Sequence, residues 1–238
     1  MRHPADATAE RAAPVAGAPS PALLELHGIT KRWPRLDAPV LDAADLVLHA
    51  GTRTWIGGRN GIGKTTLLRI AAGLIGADAG TVRLAGLDPV ADRRAFQART
   101  SFLSAGTGGL YARLTVEWHL SWWGRIALLS AGRRRRAAEE ALRRFDLAEL
   151  TGRRVDRLSM GQRQRLRLAG AFLPEPDVVL LDEPRNSLDA EGLAILAGAV
   201  EQAVARGAAV VWCAPTGEEE KVDFDRRLLL ERGRLVPA

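Results

Sequence analysis

The chain has 238 residues, 47% of them hydrophobic and 26% charged, a balance that excludes a fibrous repeat and a wholly disordered chain. No charge-free stretch approaches the roughly 20 apolar residues of a membrane-spanning helix. Thirty-four basic residues against 28 acidic ones leave a formal charge of +6. Only Lys31, Lys64 and Lys221 are lysines, so the excess is arginine, spread along the chain and densest at Arg133–Arg136. That pattern predicts a solvated surface with some bias towards an anionic membrane, and no nucleic-acid partner. The lone Cys213 excludes an internal disulfide and fits a reducing cytoplasm.

Residues 1–22, rich in Ala and Pro and without an apolar signal-peptide core, are expected to form a disordered tail, leaving 23–238 as the folded part. Leu23–Leu26 and Val40–Leu48 pattern as strands, and Asp42 and Asp45 mark the second as half-exposed and antiparallel. Arg53–Ile56 is a short strand ending in Gly57-Gly58, followed by a helix over Lys64–Leu74 capped by Gly76. Thr81–Leu84 and Ser101–Leu103 are further strand candidates. Helical, Arg-rich patterning runs from Thr115 to about Leu150, and the stretch of about 113–174 without a strand reads as a helical insertion. The unbroken apolar runs Val178–Leu181 and Ala209–Trp212 are strands buried on both faces, with a helix over Asp189–Ala205 between them. Leu228–Leu230 closes on a Glu231–Arg234 turn. Strands alternating with helices predict an α/β fold with a mostly parallel sheet.

Gly58-Arg59-Asn60-Gly61-Ile62-Gly63-Lys64-Thr65 fits G-x-x-x-x-G-K-[ST], placed after a strand and opening a helix. Glycines let the backbone fold into a nest of inward N–H groups, and the helix terminus adds partial positive charge for phosphate. Lys64 supplies a full charge near the β- and γ-phosphates, Thr65 is placed to ligate Mg²⁺, and Thr66 completes the cradle. Val178–Leu181 delivers Asp182 and Glu183 to the same edge, Asp182 towards the Mg²⁺ and Glu183 towards the attacking water. ATP with Mg²⁺ is therefore the expected ligand.

Between these motifs, Leu158-Ser159-Met160-Gly161-Gln162 on a helix start strongly resembles the signature of ABC ATPases, with Met160 where the family usually carries Gly. The resemblance spans roughly residues 22–236 and implies a P-loop NTPase core with an antiparallel β subdomain and an inserted helical subdomain. It implies that Ser159, Gly161 and Gln162 close over the γ-phosphate held by a second cassette, in a homodimer or heterodimer. Ser187-Leu188-Asp189 resembles the family's D-loop, and Trp33 stands where the family carries an aromatic residue against adenine. For Trp33 the residue type alone leaves both adenine stacking and an ordinary surface or core tryptophan open.

The family's glutamine after the Thr100–Leu103 strand is replaced by Ser104-Ala105-Gly106, and no glutamine occurs between Gln97 and Gln162. The switch histidine is replaced by Cys213-Ala214-Pro215-Thr216, and the last histidine of the chain is His119. These departures predict slow hydrolysis, or hydrolysis completed by a partner subunit; a non-hydrolysing regulatory module and a soluble ABC ATPase are the alternatives. The run Gly109–Glu117 is similar to exporter-type members, which implies an ATP-binding subunit on the cytoplasmic face of the membrane driving a separate membrane-spanning subunit. Tyr111, Trp118, Trp122 and Trp123 are either an exposed docking face for that subunit or the filling of the helical subdomain's own core.

Overall fold

The computed structural model describes residues 21–34, 37–106, 108–215 and 223–238. Residues 1–20 of the expected tail and Thr216 lie outside the described residues, whereas Ala22 opens the first strand. In chain order the elements are β1 (Ala22–Lys31), β2 (Leu41–His49), β3 (Arg53–Gly57), α1 (Lys64–Ala71), β4 (Ala79–Leu84), α2 (Arg93–Arg99) and β5 (Thr100–Leu103). The helices α3 (Val116–Ile126), α4 (Ala131–Arg144) and α5 (Met160–Phe172) follow, then β6 (Val178–Asp182), α6 (Ala190–Ala205), β7 (Ala209–Cys213), β8 (Arg226–Glu231) and β9 (Arg234–Pro237).

Two sheets form. One is antiparallel, in the order β2-β1-β4. The other runs β5-β6-β7-β3-β8-β9 and is parallel except for the terminal hairpin β8–β9. Every residue of β6 and β7 is buried, because the parallel sheet is covered on both faces. The period of two divides their side chains. Val178, Leu180, Ala209 and Val211 face α1 and the antiparallel sheet, while Val179, Leu181, Val210 and Trp212 face α5 and α6. Leu103, Val116, Leu120, Phe145 and Leu158 join that second core, so the helical insertion shares packing with the sheet and does not carry a separate core of its own. Removing a buried side chain such as Leu180 would cost about 2–5 kcal/mol.

Two local expectations change. The helix opening at Lys64 ends at Ala71 and its stop is Gly73, not Gly76. Gly73 holds φ +65°, a left-handed conformation comfortable for glycine, and a Cβ there would come within 2.9 Å of Pro89. The helix α2 was not expected; its seven residues bury only Phe96, which leaves no apolar period to detect.

The sheet order decides where chemistry can occur. Strand β7 lies between β3 and β6, and β5 lies beyond β6, so the carboxyl ends of all four open on one edge. That edge of a parallel sheet is where such folds bind ligands.

Candidate nucleotide site

The loop from β3 to α1 carries Gly58, Arg59, Asn60, Gly61, Ile62 and Gly63. Gly58 has φ +143° and Gly63 φ +120°, and a Cβ on Gly58 would lie 2.9 Å from the Leu230 carbonyl, one on Gly63 2.6 Å from Val40. Neither position admits a side chain. Arg59, Asn60 and Gly61 are exposed along the loop's rim. The first backbone bond of α1 runs from the Leu67 N–H to the Gly63 carbonyl, so the N–H groups of Lys64, Thr65 and Thr66 have no partner inside the helix. They form the donor end of an anion cradle.

Lys64 is only 5% exposed, and its ammonium donates to the Gly58 carbonyl at 2.6 Å and the Arg59 carbonyl at 3.2 Å. A buried ammonium held by nothing stronger than two carbonyls of its own loop is poised to exchange them for phosphate oxygens. The Thr65 hydroxyl donates to Asp182 Oδ2 at 2.7 Å. Burial pushes the Asp182 carboxyl up; the Thr65 hydroxyl and the Ala105 backbone N–H pull it down, Glu183 pushes it up and Lys64 pulls it down. A hydroxyl and a carboxylate, both oxygen donors, suit Mg²⁺, which takes few protein ligands and completes its shell with water and phosphate. No cluster of three or more His, Cys, Asp or Glu residues that could hold a metal occurs among the described residues.

Glu183 follows in a left-handed conformation, φ +49°, with its N–H donating to the Cys213 carbonyl at 2.8 Å. That bond turns the chain out of β6 and leaves the Glu183 side chain half-buried at the sheet edge, where Asn186 Nδ2 donates to its Oε2 at 3.0 Å. Cys213 itself is inert packing: it is fully buried, and burial pushes its thiol well up.

The signature residues lie elsewhere. Ser159 caps α5 with a reciprocal pair: its Oγ accepts the Gln162 N–H at 3.1 Å, and Gln162 Oε1 accepts the Ser159 N–H at 3.0 Å. A Cβ on Gly161 would lie 3.1 Å from the Ser187 carbonyl, so this turn packs against the loop after β6. Among the described residues no hydrogen bond joins the signature turn to the cradle of the same chain. Trp33 is 39% exposed with the Lys31 ammonium 5.3 Å from its ring centroid. It follows β1 closely, and the Val40 N–H that bonds the Lys31 carbonyl belongs to the residue packed on Gly63, which sets the indole's loop beside the cradle.

A phosphate cradle, a carboxylate pair at the end of β6 and a capped signature helix thus occur in one α/β frame, and the family model described as ABC transporter matches residues 41–186. The chain belongs to the ABC transporter family. It is 33% identical over 215 residues to the probable multidrug ABC transporter ATP-binding protein YbhF of Escherichia coli (strain K12), covering 90% of this chain and 37% of that protein. It is 36% identical over 217 residues to the daunorubicin resistance ATP-binding protein DrrA3 of Streptomyces coeruleorubidus, covering 90% and 66%. The chain therefore spans under two thirds of the length of these two relatives. A solved structure described as the ATP binding subunit of an ABC transporter superposes with a TM-score of 0.82 at 25% identity, covering 90% of this chain and 88% of that one.

Two positions beside the site lack the side chains that the family resemblance leads one to expect. Ala105, whose backbone N–H pulls the Asp182 carboxyl down, offers no side-chain oxygen. Pro215, half-buried after β7, has no backbone N–H and no imidazole. Three residues that sequence patterning passed over bond to the segments around these positions: Asn186 to Glu183, Gln164 to the Pro184 carbonyl, and Arg167 to the carbonyls of Ser104, Gly106 and Gly108. The only signal for Arg167 was its i, i+3 spacing from Gln164 on a helix, which by itself is ordinary. Among the aromatic residues, Trp123 is turned inward, so close to Gly170 that a Cβ there would lie 2.6 Å from its ring. Trp118 and Trp122 stack at 5.4 Å on the outer side with Tyr111 edge-on to both. The four aromatic residues therefore divide between core and surface. Among the described residues no helix is long and apolar enough to cross a membrane.

Proposed function

We propose that this chain binds ATP with Mg²⁺ in the cradle and hydrolyses it slowly, driving a separate membrane-spanning subunit from the cytoplasmic face of the membrane. The carrying observation is the 2.7 Å bond between the Thr65 hydroxyl and Asp182, set beside the buried Lys64 ammonium. When bound, Mg²⁺ supplies charge neutralisation to the phosphate oxygens. The chain's own residues do the rest: the α1 N–H groups and Lys64 bind phosphate, Thr65 and Asp182 hold the cation, and Glu183 orients the attacking water. The exposed turn of Ser159, Gly161 and Gln162 serves the cradle of a second cassette, in a homodimer or heterodimer. Names of relatives that specify multidrug and daunorubicin resistance support export over import.

Ala105 and Pro215 favour a second reading, a module that binds ATP and dimerises with almost no turnover. Glu183 argues against it, because it retains the half-buried position and the amide partner suited to a general base.

Calorimetric titration of ATP in Mg²⁺ into the wild type and Lys64→Ala tests the assignment. The variant should lose about 10–100-fold in affinity, the worth of a charge-assisted bond, with its far-UV dichroism unchanged. Equal affinity in both would reject the cradle.

A further inference from the structure

Arg167 on α5 is 7% exposed, and among the described residues no carboxylate accepts from it. Burial lowers its affinity for a proton. Its guanidinium is satisfied in another way. Nε donates to the Gly108 carbonyl at 3.0 Å, Nη1 to the Gly106 carbonyl and to Gln164 Oε1 at 2.8 Å, and Nη2 to the Ser104 carbonyl at 2.6 Å and Ser104 Oγ at 3.3 Å. All five N–H groups of the fork are used. Three carbonyls of one short loop therefore turn inward around a cation supplied by the helical subdomain.

That loop follows β5, the place where the family's glutamine is missing. It begins directly beside Asp182, because Leu103 and Leu181, the residues before Ser104 and Asp182, are paired in the parallel β5–β6 ladder. The other arm of the cluster runs through Gln164, whose Nε2 donates to the Pro184 carbonyl at 2.9 Å, next to Glu183. Gln164 thus receives from Arg167 on its oxygen and donates from its nitrogen, an arrangement that fixes the orientation of the amide. One buried side chain of the signature helix thus braces the backbone next to both carboxylates of the site.

We propose that Arg167 is a positioning residue for the Mg²⁺ site: by holding the carbonyls of Ser104, Gly106 and Gly108 after β5 it keeps the neighbouring Asp182 in place, and so provides through the backbone the link between helical subdomain and metal that the absent glutamine would otherwise make. The inference rests on the nucleotide-binding function proposed above. Lysine cannot replace this residue, since a single ammonium offers three donors from one point and cannot span five acceptors.

The test compares ATP affinity with Mg²⁺ and with EDTA, by calorimetry, for the wild type, Arg167→Lys, Arg167→Ala and Arg167→Ala with Ala105→Gln. The expected result is affinity in EDTA within about twofold of wild type for every protein, because the cradle is untouched. Apparent Mg²⁺ affinity should fall about 10–100-fold in Arg167→Ala, as when an outer-shell partner is lost. It should fall by less in Arg167→Lys and recover when Ala105→Gln is added. If Arg167→Ala does not fold, Arg167→Lys and Arg167→Met carry the comparison, since both retain the aliphatic stem. A wild-type Mg²⁺ requirement in the folded variants overturns the proposal, as does a fall in both affinities together, which marks a merely structural role. A wild type that binds no nucleotide overturns the underlying function, and this is seen before any variant is compared.

Discussion

Thr65 and Asp182 stand 117 positions apart in sequence, yet the hydroxyl of one donates to the carboxylate of the other at 2.7 Å. The bond ties the first turn of α1 to the end of β6 across the intervening β7, and it marks the place where the proposed cation would insert. Asp182 meanwhile sits almost wholly out of solvent, 2% exposed, with Glu183 adding repulsion. Ionising a carboxylate so placed costs stability in the empty protein.

The stability of the metal-free protein should reflect this. Burial raises the folded pKa of Asp182 above its ordinary 3.8, so the folded state holds that proton more tightly than the unfolded chain. The contribution is fully present below 3.8 and is lost as pH rises through the folded value. At pH 7 the ionised group is therefore destabilising, and Asp182→Asn should raise the melting temperature of the empty protein while removing the Mg²⁺ dependence of nucleotide binding. Calorimetric melts at pH 7 in EDTA provide the check; a lower melting temperature in the variant contradicts the argument.

Trp33 should report nucleotide directly. Its partly exposed indole follows the end of β1, where the Lys31 carbonyl bonds Val40, the residue packed on Gly63, and the Lys31 ammonium lies over its ring. Stacking on adenine should shift or quench its emission, and Trp33→Ala should lose most of the nucleotide-dependent signal among the chain's six tryptophans. A signal preserved in the variant moves the base contact elsewhere.

The switch region should limit turnover. Ala105→Gln combined with Pro215→His is expected to raise steady-state hydrolysis by about 10²-fold, the scale of restoring a misplaced catalytic geometry. Glu183→Gln should abolish hydrolysis in both backgrounds. Because Pro215 also fixes its own φ, Pro215→His alone should recover less than the pair. Rapid hydrolysis by the unmodified protein would show that the two departures are harmless.

His119 should make the helical subdomain acid-sensitive. It is buried, with Nε2 accepting the Tyr111 N–H at 3.0 Å and Nδ1 2.8 Å from the Thr115 carbonyl. The carbonyl only accepts, so Nδ1 carries the proton and the ring is neutral. Burial lowers the folded pKa below 6.5, with the Thr115 bond opposing. Its stabilisation is then complete above pH 6.5 and is lost as pH falls through the folded value. Tryptophan fluorescence during acid titration should show this loss. His119→Phe should abolish it, at a cost of about 1–3 kcal/mol at every pH because the Tyr111 N–H loses its acceptor. An identical acid profile in the variant rules out the assignment.

The phosphate cradle, the carboxylate pair and the signature were all legible in the sequence, because each is a contiguous run whose chemistry depends on backbone conformation and neighbours in the chain. Gly58 and Gly63 announce a loop that admits no side chain, and Val178–Leu181 announces a strand covered on both faces. The alternation of strands and helices was enough for the α/β class. Arg167, Asn186 and the division of the tryptophans were not legible. A guanidinium on an arginine-rich helix looks solvated until the loop after β5 folds around it, and Trp123 differs from Trp122 only because Gly170 leaves room on one side of α3. Such roles depend on which atoms from distant segments meet in a water-free space. Only the packing of α5 against β5 and β6 brings them together, because burial turns each unpaired donor into a cost that a particular distant acceptor must offset.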